Sequence, residues 1–265
     1  MHGPRILILT PVHNVSKIFD GYVQALKQLS YNHKLISIGL LEGNSTDGSF
    51  ELIQKHLPAL NDEFESARLW QKNYDFAIPP GTPRWSLELQ VMRRTVLAKS
   101  RNQLLFRALT DQDWVLWIDA DVTEYPSDVI EVLLSQGKNI VQPNTVRIPG
   151  GKSYDLNAWR DKGKKYLHDL KSEGDLVPLH SVGGTMLLVN ADLHREGLIF
   201  PPFLYGKRNR LARRRHNFST YAGLRRFMEP TFDGEIETEG LAMMAHDMGE
   251  QCWGMPNHEI IHSMD

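Results

Sequence analysis

Two aspartates two positions apart, Asp119 and Asp121, close the apolar run Trp114-Val115-Leu116-Trp117-Ile118. Five apolar residues without a polar break read as a strand buried on both faces, the kind found in parallel sheets. Side chains at i and i+2 of an extended segment point the same way, so the two carboxylates can converge on one divalent cation just past the strand. Open α/β sheets gather their ligands at the carboxyl ends of strands, where this pair falls. The plainer alternative is a strand that ends in an acidic turn, and the company the pair keeps decides between them.

That company is spread along the chain. Glu42-Gly43-Asn44-Ser45-Thr46-Asp47-Gly48 joins turn formers to a helix N-cap, which offers backbone amides to a ligand while Glu42 or Asp47 can accept hydrogen bonds from a ribose or a base. Arg101, beside Asn102, lies late in an arginine-rich helix and one short connection before the D-x-D strand, placed to approach a phosphate; Arg93, Arg94 and Lys99 read as a solvated face. Gly183 and Gly184 stand at the entrance of an apolar strand, permitting close approach of backbone to a ligand, or a bulge. Glu235, Glu237 and Glu239 head a helix; one or two acids there suit the helix dipole, and three ask for more. His262, near the end, is a candidate metal ligand or a surface histidine.

The elements that must position these groups follow from periodicity. Arg5–Thr10 is a β-branched strand broken by Pro11 and followed by a polar turn through His13 and Asn14; Phe19, Tyr22, Val23, Leu26 and Leu29 have helical spacing; Leu35–Leu41 is a second strand and Phe50–His56 a second helix. That order predicts a right-handed βαβ crossover and a parallel sheet. Ala67–Gln71 is a third strand. A proline-rich loop over 73–86 leads to a helix over 86–109, and after the D-x-D a helix runs from Tyr125-Pro126 to Ser135, then a strand over Asn139–Gln142. A helix through Tyr166, Leu167 and Leu170 follows the polar segment holding Asp155, Asn157 and Trp159. Met186–Val189 is a strand, a helix ends at Met248, and a short strand and turn span Cys252 to His262.

The fold class expected is α/β: a Rossmann-like, mostly parallel sheet flanked by helices in a single domain. Residues 1–122 form a nucleotide-binding half and 123–265 an acceptor-binding half. At 265 residues the chain is near the upper limit for one core, and a net charge of −2 argues against general nucleic-acid binding. The lone Cys252 excludes an internal disulfide framework. The run at 207–226, KRNRLARRRHNFSTYAGLRR, is the compositional outlier; it suits pyrophosphate, an anionic acceptor or peripheral contact with a lipid surface, or else a solvated loop. Ile6–Leu9 is too short for a signal sequence or a membrane span. Sequons stand at Asn14, Asn44 and Asn217, and a glycan on Asn44 would block the turn, which favours a soluble cytoplasmic protein; a Golgi luminal chain parted from its anchor would read the same.

Taken in order, ILILTPV, LAKSRNQLLF, WVLWIDADVTEYP, YDLNAW, GGTMLLV, ETEGLAMMA and GMPNHEIIH span most of the chain. Together they resemble the GT-A glycosyltransferases, and within them the fungal Golgi α-mannosyltransferases that form mannan polymerase complexes. The resemblance implies a retaining enzyme that uses Mn²⁺ (or Mg²⁺) and GDP-mannose to add α-mannose to a glycan acceptor, working as a homo- or hetero-oligomer. It implies Asp119 and Asp121 at the metal, Asp121 as direct ligand, with His262 as the C-terminal ligand. Glu237 and Glu239 would face the acceptor, Gly183 and Gly184 the donor sugar, with Asp155 near that sugar and Arg101 in the donor pocket; Pro11, His13, Glu42, Asp47 and Ala120 complete the donor side. Leu40–Ser49 looks more like the nucleotide-binding turn of bacterial polysaccharide glycosyltransferases, the basic run looks like an insertion, and the anchor of the fungal members has no counterpart. A nucleotidyltransferase would carry a Gly-rich basic loop after the first strand, which Thr10-Pro11-Val12-His13-Asn14 is not; the other rivals are a transferase using a different nucleotide sugar and a catalytically silent partner subunit or sugar-binding module.

Overall fold

The computed structural model describes residues 3–79, 81–83, 86–206 and 234–263, so the basic run 207–226 lies outside the described residues. In chain order the elements are β1 (Ile6–Val12), α1 (Phe19–Lys27), β2 (Ile36–Glu42), α2 (Ser49–Glu63), β3 (Ser66–Gln71), α3 (Leu87–Ala108), β4 (Trp114–Ile118), β5 (Val122–Glu124), α4 (Val129–Ser135), β6 (Ile140–Val146), β7 (Trp159–Arg160), β8 (Lys165–Tyr166), β9 (Val177–Leu179), β10 (Met186–Asn190), α5 (Ala191–Arg195), α6 (Glu237–Asp247) and β11 (Cys252–His262).

One large sheet runs in the order β3-β2-β1-β4-β10-β6-β11-β5, with β9 beside β11. Strands β3, β2, β1 and β4 are parallel, as the βαβ order predicts. Beyond them the sheet is mixed: β10 is antiparallel to both β4 and β6, and β11 is parallel to β6 but antiparallel to β5 and β9. The D-x-D strand is therefore flanked by one parallel and one antiparallel neighbour. Because β10 runs the other way, its entrance, carrying Gly183 and Gly184, meets the exits of β4 and β6.

Alternation along each strand feeds two cores. Ile6, Ile8, Ile36, Ile38, Leu116 and Ile118 face α1 and α2, against Phe19, Tyr22, Leu26 and Ile53. Leu7, Leu9, Val115 and Trp117 face α3 and α6, against Leu104, Leu105, Leu241 and Ala245. Burial on both faces explains the unbroken apolar run of β4.

Several expectations need correction. The helix expected through Tyr166–Leu170 is a two-residue hairpin strand followed by 3₁₀ turns, since its Lys, Tyr, His and Asp leave too few apolar positions for a helical stripe. The last element is a strand of 11 residues with a bulge between Met255 and Glu259, and not a short strand and turn; Pro256 and Asn257 mask its continuity in sequence. Strands β5 and β9, of three residues each, carry no pattern long enough to recognise. Among the described residues no helix is long and apolar enough to cross a membrane.

Candidate active site

The exits of β1, β2, β4, β6 and β11 and the entrance of β10 share one edge of the sheet, and nearly every candidate side chain lies along it. The chain turns directly after Ile118, the Asp119 carbonyl accepting the Val122 amide at 3.1 Å, so the extended geometry expected for the D-x-D is lost there. The two carboxylates take different partners instead of converging. Asp119 Oδ1 accepts from Arg101 Nη2 at 3.1 Å, while Asp121 Oδ2 lies 3.1 Å from His262 Nε2.

His262 is brought to Asp121 by the pairing of β11 with β5, which sets His262 opposite Val122, and by the Ser263 amide donating to the Asp121 carbonyl at 2.8 Å. The ring is buried. Its Nδ1 lies 2.8 Å from the Ser263 carbonyl, and a carbonyl only accepts, so Nδ1 carries the proton and Nε2 faces Asp121. Burial alone would lower this imidazole's pKa; the Asp121 carboxylate outweighs it and raises the value above the ordinary one.

Arg101 is buried, its guanidinium between Asp119, Glu237 (Nε to Oε1 3.0 Å) and the Gly184 carbonyl (3.4 Å), over the rings of Trp117 and Phe200. One guanidinium is thus shared by two carboxylates and a carbonyl, and braces the site. Arg94, expected on a solvated face, turns inward: Nη1 donates to Glu239 Oε2 at 2.6 Å and Nε lies 3.7 Å from Glu237 Oε2. Trp159 Nε1 donates to the other Glu239 oxygen at 2.7 Å. The signal that could have found Arg94 is the glutamate triplet itself, which needs more than one cation once buried. Glu237 starts α6 at φ +61°, a left-handed conformation uncommon for a side chain of this size; it directs the carboxylate between the two arginines.

Asp155 grips the entrance of β10. Its Oδ2 accepts from the Gly184 amide at 2.9 Å and from the Thr185 amide and hydroxyl at 3.3 and 3.1 Å, and its Oδ1 from the Asn157 amide at 3.1 Å. A Cβ on Gly183 would overlap the Asp155 carboxylate, and one on Gly184 the Arg101 guanidinium. The glycine pair thus makes room for two charged side chains of the protein itself.

Charge in this cluster is unbalanced. Asp119, Asp155, Glu237 and Glu239 face Arg101 and Arg94, so carboxylates outnumber guanidiniums. The Asp119 carboxyl is pushed up to about 6, burial leading, with Arg101 opposing and Asp121, Asp155 and Glu237 adding. Glu235 is pushed up to about 8 by burial and by the charge and hydrogen bond of Glu239, with Arg94 opposing. Glu235 also exchanges backbone hydrogen bonds with Tyr205, both 2.8 Å, at the two ends of the segment holding the basic run.

The remaining donor-side candidates build a neighbouring interlocked loop pair beyond β1 and β2. Glu42 is buried and accepts from the Ser45 amide and Gln71 Nε2, both at 2.8 Å; His13 Nδ1 lies 2.8 Å from the Gly43 carbonyl. Asp47 accepts from the Ser16 and Ser49 amides and the Ser49 hydroxyl. Burial works against its charge, but those hydrogen bonds hold its carboxyl down to about 2. Pro11 lies inside β1, which continues past it to Val12 just before the exposed His13, contrary to the break expected there, and Ala120 is buried in the D-x-D turn.

Among curated relatives, the mannan polymerase II complex anp1 subunit of Schizosaccharomyces pombe is 27% identical over 300 residues, which span 97% of this chain and 64% of that protein. The mannan polymerase complex subunit MNN9 of Candida albicans is 27% identical over 304 residues, 97% of this chain and 74% of that protein. Of solved structures, the mannosyltransferase PcManGT from Pyrobaculum calidifontis, in complex with GDP-Man and Mn²⁺, superposes with a TM-score of 0.59 at 14% identity, over 100% of this chain and 58% of that one. GalNAc-T7 with UDP, GalNAc and Mn²⁺ gives 0.55 at 11% identity, over 98% and 44%. At such identities the structures speak for the fold, which is that of the GT-A glycosyltransferases. The Anp1 family model matches residues 1–175 and 164–204, and the chain belongs to the Anp1 family.

Proposed function

We propose that this chain is a metal-dependent, retaining glycosyltransferase that moves α-mannose from GDP-mannose to a glycan acceptor, as a subunit of a larger assembly. The observation that carries the reading is the Asp121–His262 pair, 3.1 Å apart at the sheet edge where α/β folds bind nucleotides. The names of the relatives, subunits of mannan polymerase complexes, and of the neighbour PcManGT, which holds GDP-Man and Mn²⁺, support the donor, the metal and the assembly.

The donor set fits the ion. One carboxylate oxygen and one imidazole nitrogen suit Mn²⁺, and the nitrogen facing Asp121 is the one not protonated in the neutral ring. Among the described residues no group of three or more His, Cys, Asp or Glu is placed to hold a metal. Asp121 and His262 would hold the ion, and a nucleotide diphosphate and water could complete its shell, as with hard cations in phosphate sites generally. When bound, the ion supplies positive charge to the leaving diphosphate.

The chain's own residues do the rest. Asp121 and His262 fix where that charge sits, Arg101 holds Asp119 and Glu237 in place, and the excess of carboxylates favours positive charge at the sugar's reacting carbon. Among the described residues of the cluster every one of these carboxylates is already engaged: Asp155 accepts four hydrogen bonds, and Asp119, Glu237 and Glu239 are paired with arginines. This supports front-face attack by the acceptor hydroxyl, and a trapped glycosyl adduct on Asp155 or Glu239 would overturn it. Asn44, whose amide donates to the Tyr74 carbonyl and accepts from its amide, is poorly suited to carry a glycan, which supports a setting without glycosylation at that sequon.

The test is nucleotide release from a panel of sugar nucleotides with Mn²⁺, with and without mannan-type acceptors. Slow hydrolysis of GDP-mannose alone supports the reading. Turnover confined to another sugar nucleotide moves the donor, and no turnover with any donor and acceptor points to a silent subunit. That second reading is favoured by one observation, the engagement of both α6 glutamates by arginines.

A further inference from the structure

The acceptor of the His262 Nδ1 proton is its own neighbour Ser263, so that hydrogen bond ties the ring only to its own strand end. Besides the Asp121 contact and the pairing with β5, a stack on its face ties the ring to the rest of the protein. The Tyr154 ring lies 3.8 Å from the imidazole, centroid to centroid, with 33° between the planes. The Arg147 guanidinium lies over the Tyr154 ring at 4.9 Å. Arg147, exposed, directly follows β6, and Tyr154 returns to that strand through an isolated bridge between Val146 and Ser153 and its own amide donating to the Thr145 carbonyl at 2.7 Å. The loop between them is thus folded back so that Arg147 and Tyr154 at its two ends meet, with the Tyr154 ring against the histidine.

We propose that Tyr154, backed by Arg147, is a positioning residue that fixes the rotation of the His262 ring so that Nε2 is presented to a divalent cation beside Asp121. The inference rests on the reading of His262 as a metal ligand. A flat contact on the imidazole face removes the ring's freedom to swing about its Cβ–Cγ bond, while the Nδ1 hydrogen bond selects which nitrogen is left to coordinate. Neither Tyr154 nor Arg147 belongs to the acidic pair, and the Tyr154 hydroxyl is not needed for the task. The chemistry asked of position 154 is a flat ring, and that asked of position 147 is a planar cation able to lie over that ring.

The experiment measures Mn²⁺ binding at saturating GDP by the loss of the free-Mn²⁺ electron paramagnetic resonance signal, in the full chain, for wild type, Tyr154→Phe, Tyr154→Leu, Tyr154→Ala, Arg147→Leu and His262→Ala. Thermal melts establish that each variant is folded. The expected result is a loss of about tenfold or more in Mn²⁺ affinity for Tyr154→Leu and Tyr154→Ala, the range seen when groups that orient metal ligands are removed, with Tyr154→Phe at wild-type affinity. Wild-type affinity in the Leu and Ala variants, while His262→Ala binds weakly, overturns the inference and leaves the reading of His262 standing. Wild-type affinity in His262→Ala overturns that reading and the inference with it. Should both Tyr154 variants fail to fold, Arg147→Leu decides: weakened Mn²⁺ binding supports the stack, and unchanged binding overturns it.

Discussion

Arg101 has its charge divided between Asp119 and Glu237 inside a buried pocket, and this makes it the side chain the site can least spare. Arg101→Met keeps the apolar contact with Trp117 and Phe200 but leaves Glu237 without its closest cation. It should cost about 3–5 kcal/mol in denaturant unfolding, as breaking a buried pair from one side does. A loss within the scatter of surface mutations would mean Arg94 alone can balance the glutamates. The His262–Asp121 pair makes a second prediction. With no metal present, the folded pKa of His262 is raised, so the pair's stabilisation is fully present below the unfolded value of about 6.5 and is lost as pH rises through the higher folded value. Mn²⁺ binding runs the other way, because it needs the unprotonated ring, and should weaken as pH falls through that same range. Melting curves of metal-free protein and Mn²⁺ titrations between pH 5 and pH 9 check both signs.

At the scale of elements, the entrance of β10 and the loop after β2 are built for different tasks. Gly183→Ala and Gly184→Ala each force a methyl into a charged side chain, Asp155 or Arg101, and should each destabilise by about 1–3 kcal/mol in chemical unfolding. If these glycines served only the donor, alanine would impair turnover and leave stability intact. In the loop after β2, Asp47 has a depressed pKa, so its contribution is complete above the unfolded value of about 3.9 and fades as pH falls toward 2. Asp47→Ala should accordingly flatten the acid limb of the stability profile between pH 4 and pH 2, read from unfolding midpoints. The first four strands, their helices and the exit of β4 were legible because apolar runs and helical spacing are local signals. Three features were not. The Asp119–Arg101 pairing depends on a turn after Ile118, the inward Arg94 on the distant glutamates of α6, and the length of β11 on a bulge that hides behind Pro256. Each is decided by contacts between segments far apart in sequence, where periodicity has nothing to report.

Across the whole molecule, parallel strands on one side and an antiparallel strand inserted between β4 and β6 bring candidates from residue 11 to residue 262 to one edge of the sheet. A nucleotide diphosphate there would meet loop amides beyond β1 and β2, the Asp121–His262 pair, and an acidic cluster beside it. Loss of either member of that pair, in Asp121→Asn or His262→Ala, should lower release of GDP from GDP-mannose by about 100-fold or more, as removal of one charge-stabilising group does, while melting changes mainly at the low pH where the pair itself is stabilising. Whether His262 and Asp121 hold the cation used with the nucleotide sugar is read out by pulsed electron paramagnetic resonance of Mn²⁺ bound together with GDP-mannose. The expected result is coupling of the Mn²⁺ to one directly bound histidine nitrogen, shifted by ¹⁵N-histidine labelling and absent in His262→Ala. A bound Mn²⁺ with phosphorus coupling from the nucleotide but no nitrogen coupling in the wild type would contradict it.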